Sequence, residues 1–143
     1  MKPKSVLMLA VFFYIFAGGS QVASAQSEPV LYFCEVYSEN GEEGVSDRFT
    51  KGYLTVIIKC DYELGLTDVS IQFDKYDPLS GKFDYYKKFS YSVTPDMNYI
   101  FFSKNDDSDM SFDEAGIYRV FLLDELDRTV ASALVEIIDW GFL

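Results

Sequence analysis

The sequence predicts an all-β fold, a single antiparallel sandwich of seven strands, on three observations. Seven short runs rich in β-branched and aromatic residues recur at fairly regular spacing between polar turns. Several of them alternate apolar and polar residues with a period of two, and no stretch carries a 3.6-residue period with helix caps. At 143 residues, 49% hydrophobic and 24% charged, the chain has the length and composition of one globular domain. A closed barrel is the alternative reading of the same pattern.

The first 25 residues stand apart from that pattern. Lys2 and Lys4 form a short basic start, an apolar run follows from Val6 to Ala17, and Ala23-Ser24-Ala25 precedes Gln26. This is the layout of a cleavable secretory signal peptide. The apolar run is about a dozen residues, short of the roughly 20 that a membrane-spanning helix needs. The expected organisation is a signal over 1–25 and one sandwich domain over 26–143, exported to the periplasm or outside the cell. No later apolar run is long enough to hold the mature chain in a membrane, and no cysteine follows the signal to take a lipid.

Charge and composition exclude several functions. The chain carries 12 basic and 23 acidic residues, net −11, and loss of Lys2 and Lys4 with the signal makes the mature balance −13. A field of that sign repels nucleic acid and anionic membranes, and it suits basic partners or divalent cations. There is no histidine, which removes histidine-based triads, metal ligands and proton shuttles. Nothing places two carboxylates across a cleft, and no serine, lysine or tyrosine has an identifiable activating neighbour, so no enzyme is expected.

The strands are expected in this order. Residues 29–37 (PVLYFCEVY) form the first, and 40–44 (NGEEG) a loop. Residues 52–60 form the second. In 68–76 Val69, Ile71 and Phe73 face one way and Ser70, Gln72 and Asp74 the other. A Pro- and Gly-containing turn spans 77–81. In 82–93 Phe83, Tyr85, Phe89, Tyr91 and Val93 share one face, with Lys87 the exception. Residues 97–103 form the fifth strand and 104–111 a polar acidic loop. The last two strands, 116–123 and 130–138, are joined through 124–128, and a tail with Trp140 and Phe142 follows.

Cys34 lies in the first run and Cys60 ends the second. In an oxidising compartment two lone cysteines usually pair, and these two strands would be neighbours in one sheet. Closing a loop of about 26 residues would stabilise the fold by roughly 3 kcal/mol in the chain-entropy model. Because both sit in apolar runs, two separate buried thiols are the alternative. Two cysteines without histidine make only half a zinc site.

Glu114-Ala115-Gly116-Ile117-Tyr118-Arg119-Val120 resembles the entry to the sixth strand of immunoglobulin-superfamily domains, where the pattern is acidic-Ala-Gly-x-Tyr-x-Cys. The resemblance implies an immunoglobulin-like sandwich in which Tyr118 forms the tyrosine corner, its hydroxyl bonding back to nearby backbone. Val120 replaces the family's cysteine, so its intersheet disulfide is absent, and the third strand lacks the tryptophan of antibody-type domains. The chain looks more like the immunoglobulin-like modules of bacterial exported proteins, with Ala131-Ser132-Ala133-Leu134-Val135 as an Ala/Val-rich last strand. The fold hosts many unrelated functions, so the resemblance transfers no activity.

Two clusters are candidate sites. Asn105, Asp107 and Asp109 offer oxygen ligands at alternate positions, with Asp113 and Glu114 close behind, as a Ca²⁺ loop would. No central glycine or helical flank matches an EF-hand, so a solvated acidic turn is the default. In Tyr85-Tyr86-Lys87-Lys88 neighbours point to opposite faces, which exposes one tyrosine and at least one lysine. Such a face suits protein or glycan contact. Edge-strand lysines that block aggregation are the bland alternative. The expected function is a non-catalytic binding or assembly module with a protein partner, the alternatives being a small carbohydrate-binding module or a Ca²⁺-binding sandwich. No cofactor other than Ca²⁺ is indicated.

Overall fold

In chain order the strands are β1 (Val30–Cys34), β2 (Val36–Ser38), β3 (Gly41–Glu43), β4 (Arg48–Thr50), β5 (Gly52–Tyr53), β6 (Thr55–Lys59), β7 (Asp68–Asp77), β8 (Lys82–Ser92), β9 (Tyr99–Phe102), β10 (Ser111–Phe112), β11 (Gly116–Leu123) and β12 (Thr129–Ile138). They come from a computed structural model that describes residues 28–103 and 110–139. The expected signal peptide, the Asn105, Asp107 and Asp109 loop, and the tail with Trp140 and Phe142 lie outside the described residues. No helix among the described residues is long and apolar enough to cross a membrane.

The larger sheet has the order β4-β12-β11-β7-β8 and the smaller one β1-β6-β9. Pairing is antiparallel except between β12 and β4, which run parallel. First, second and fifth main strands in one sheet, with third, fourth, sixth and seventh in the other, is the immunoglobulin-type strand order. Among the described residues the smaller sheet stops at β9, without the fourth strand that a constant-type domain adds beside it. The fold is therefore an all-β, immunoglobulin-like sandwich.

The core lies between the sheets. Leu31, Phe33, Val56, Ile58, Ile100 and Phe102 project inward from the smaller sheet. Val69, Ile71, Phe73, Val120, Leu122, Val135 and Ile137 meet them from the larger one. The period-two alternation of the sequence produces this, each inward side chain lying two residues from the next. Among the described residues no buried side-chain polar atom lacks a hydrogen-bond partner.

The structure departs from the seven expected runs in four places. The first run breaks at Glu35, whose N–H bonds the Glu43 and Gly44 carbonyls at 3.0 and 3.2 Å, so β2 leaves the sheet and pairs with β3. Residues 41–43 are thus a strand and not a loop. The second run splits at Leu54 into β5 and β6. β4 and β10 are additional strands, β4 at the edge of the larger sheet and β10, where a loop is expected at residue 111, paired with β5; at three and two residues they are too short for an alternation to be read. Finally, a bulge in β8 reverses its faces. Phe73 pairs with Lys87 and Asp74 with Tyr85, which leaves Tyr86 as the extra residue. Phe83 and Tyr85 therefore face away from the core while Lys87, Phe89 and Tyr91 face toward it, so the single shared face expected for this strand does not exist.

The expected Cys34–Cys60 disulfide is also corrected. Both thiols are buried and free. The two strands are neighbours, but Cys34 pairs opposite Thr55 at one end of the β1–β6 ladder and Cys60 follows Lys59 at the other. Five residues of strand separate them, about 16 Å at ~3.3 Å per residue. A disulfide needs Cα atoms within about 7 Å.

Candidate functional site

The residues singled out in β8 are divided by the bulge. Tyr85 projects from the outer face of the larger sheet and is 66% exposed. Lys88 lies on the same face, ion-paired to Asp127 at 2.8 Å. Tyr86 leans inward with its ring 5.2 Å from that of Tyr118, and burial, then the Glu114 charge, raise its pKa. Lys87 also turns inward and donates to the Ser111 carbonyl at 2.8 Å. Two of the four thus share a surface, and the other two close the side of the sandwich.

Around Tyr85 and Lys88 the sheet registers assemble a surface that sequence reading did not single out. Cross-strand partners point to one side, so one row across the outer face holds the pairs Glu136–Ile117 and Tyr76–Phe83, with Ile117 and Tyr76 lining one recess. The next reads Leu134, Arg119, Asp74, Tyr85, and the third Ser132, Phe121, Gln72, Lys88. Ile117 is 38% and Leu134 50% exposed. The Arg119 guanidinium lies over the Phe83 ring, 4.5 Å from its centroid. Tyr76 packs on Phe83 at 5.3 Å. An open recess of about 800 Å³ adjoins these rows, lined among others by Tyr76, Pro78, Tyr85, Tyr86 and Ile117. The signal for this face is present in the sequence: β11 alternates Tyr118, Val120 and Leu122 inward with Ile117, Arg119 and Phe121 outward. Recognising the outward set as one surface requires the strand order.

Tyr118 anchors the start of β11. It is fully buried, and its hydroxyl donates to the Glu114 carbonyl at 2.6 Å. Burial raises its pKa strongly, which keeps the hydroxyl protonated and donating. Gly116 has φ +150°, and a Cβ there would come within 3.1 Å of the Lys75 side chain. The Gly-x-Tyr pair thus serves the backbone corner, and Lys75 closes it by bonding Glu114 at 2.7 Å.

Among the described residues the β2–β3 hairpin folds over the smaller sheet's outer face at Ile57, leaving Phe101 46% exposed beside it. Tyr37 stacks on Phe101 at 4.2 Å and 9°. Glu42 accepts hydrogen bonds from the hydroxyls of Tyr32 and Tyr99. Ile57, on the outer side of this sheet, is consequently 0% exposed. Those two bonds, Tyr32 first, hold the Glu42 carboxyl below its ordinary value of 4.5. A carboxyl with a depressed folded-state pKa contributes stability above its unfolded value and loses it as the pH falls through the folded value. The stability advantage of the wild type over Glu42→Gln is therefore expected to be constant near neutrality and to shrink progressively as the pH falls below 4.5. Parallel urea titrations of both proteins check this, and a pH-independent difference contradicts it.

Among the described residues no group of three or more cysteines and carboxylates is placed to hold a metal ion. No known protein family and no curated protein matches the chain. A search of solved structures finds an immunoglobulin-like protein of Pseudomonas aeruginosa. It is 12% identical, with a TM-score of 0.46, and the match covers 80% of this chain and 100% of that one.

Proposed function

We propose that the chain is an exported, non-catalytic binding module that engages a protein partner through the outer face of the larger sheet. The observation that carries this reading is the cluster of outward aromatic and aliphatic side chains around Arg119. Tyr76, Phe83, Tyr85, Ile117 and Leu134 come from four adjacent strands, and solvated sheet faces ordinarily carry polar residues there. Tyrosine, phenylalanine and arginine are the types enriched at protein interfaces, where a few large side chains carry most of the binding energy. Aliphatic Ile117 and Leu134 beside the rings favour a protein over a glycan, which would use aromatic platforms flanked by hydrogen-bonding side chains. Export is supported by the three-part layout of residues 1–25 and by the acidic mature chain.

The test is photo-crosslinking in the native host from a crosslinking amino acid at Tyr85, with a second at Val30 on the other sheet as control. The expected result is one dominant protein adduct from position 85 and none of that mass from position 30. Equal or absent protein adducts at both positions overturn the assignment of this face.

A further inference from the structure

The outer face of the larger sheet is complementary to itself. Arg119 and Asp74 are cross-strand neighbours at its centre. Among the described residues neither is in an ion pair: Arg119 lies over Phe83, and Asp74 accepts a hydrogen bond from Gln72 at 2.9 Å. Consider a two-fold axis lying in the plane of contact, parallel to the strands and midway between β7 and β11. It sets Arg119 of each copy over Asp74 of the other. The same rotation sets β12 over β8 and brings Leu134 against Tyr85, and Ile117 against Tyr76. Opposite charges meet at the centre with apolar groups beside them, as an interface formed by one patch with its own copy requires, and at the margins Glu136 falls over Phe83 and Ser132 over Lys88.

Two further observations favour a second copy as the occupant. The chain has net charge −11, and two copies repel unless they meet where that charge is absent. The centre of this face is such a place: Arg48 is paired with Glu136, Lys88 with Asp127, and Arg119 neighbours Asp74, while the acidic Asp68 lies at the end of β7 away from that centre. Its extent also suffices. The four strands that overlap, about 4.8 Å apart and some 30 Å long, cover on the order of 600 Å² per copy, at the lower end of the range for standard-size interfaces.

We propose that this face binds a second copy of the chain, forming a face-to-face two-fold dimer centred on reciprocal Arg119–Asp74 pairs. The proposal rests on the reading of this face as the binding surface and names its partner. The test is sedimentation of the wild-type chain, of Arg119→Asp, of Asp74→Arg, and of an equimolar mixture of the two variants. The wild type is expected to be a dimer. Each variant alone sets like charges together and is expected to associate at least about tenfold more weakly. The mixture restores both opposite-charge pairs and is expected to form a mixed dimer near wild-type strength. Because two misfolded variants cannot rescue each other, recovery in the mixture separates the contact from a folding defect. A wild type that is monomeric at high micromolar concentration, or variants that dimerise as it does, or a mixture that stays dissociated, overturns the proposal. The crosslinking experiment separates the two readings. An adduct of Tyr85 with another copy supports both, an adduct with a different protein overturns the dimer and leaves the binding face standing, and no adduct removes the face itself.

Discussion

Phe73→Ala is expected to lower the unfolding free energy by about 3–5 kcal/mol, the range for removing a buried aromatic ring from a core. Phe73 is 1% exposed at the centre of β7. Its ring meets Phe112 at 5.2 Å and 81°, and Phe89 at 6.3 Å and 68°, edge-to-face arrangements that add to the area buried. These contacts tie β7, β8 and β10 together, so collapse around the vacated volume would have to move three elements. A domain of this size has about 5–15 kcal/mol in total, and the variant should sit at the edge of folding. Urea denaturation followed by far-ultraviolet circular dichroism measures the loss, and a cost under about 1 kcal/mol would mean that Phe73 is not in the core.

Ile57→Ala is expected to cost about 2–5 kcal/mol, as much as truncating an isoleucine between the sheets. The expectation is informative because Ile57 is on the opposite side of β6 from Ile58. Without the β2–β3 hairpin it would face water, and its truncation would change stability by no more than about 0.5 kcal/mol, as at other surface sites. Ile57 and Ile58 are both 0% exposed, Ile58 by the second sheet and Ile57 by the hairpin. Glu42, held by Tyr32 and Tyr99, and Tyr37, stacked on Phe101, keep the hairpin down. Equilibrium unfolding of Ile57→Ala beside Ile58→Ala compares the two sides of the strand. A near-neutral Ile57→Ala beside a costly Ile58→Ala would remove the hairpin from that face.

The sequence made the long strands legible and left the local irregularities hidden. Val69, Ile71 and Phe73 alternate without interruption, and β7 is where that pattern places it. The same rule misassigned β8, because the extra residue at Tyr86 shifts the phase and turns Phe83 and Tyr85 outward. A bulge has no alternation signature of its own; it is specified by the partner strand, where Phe73 and Asp74 are consecutive opposite Lys87 and Tyr85. The hairpin was missed for a related reason. Residues 40–44 read as a loop, because a strand of three residues has too few positions for a period to appear. The disulfide expectation had the right strands and lacked their register, which puts Cys34 and Cys60 at opposite ends of the ladder. The candidate face was half legible, since Tyr85 and Lys88 were singled out while Arg119, Ile117 and Leu134 join them only through the order β12-β11-β7-β8.

The measurement that tests the binding face most directly is hydroxyl-radical footprinting of the full chain. Labelling in its native setting would be compared with labelling of purified protein at sub-micromolar concentration. Leu79 and Leu126, 97% and 67% exposed and outside the proposed face, serve as internal references. The predicted result is that Tyr85, Ile117 and Leu134 are protected together in the native setting while Leu79 and Leu126 label equally in both. Unchanged labelling of Tyr85, Ile117 and Leu134 would contradict the assignment of the outer face as the surface through which this protein acts.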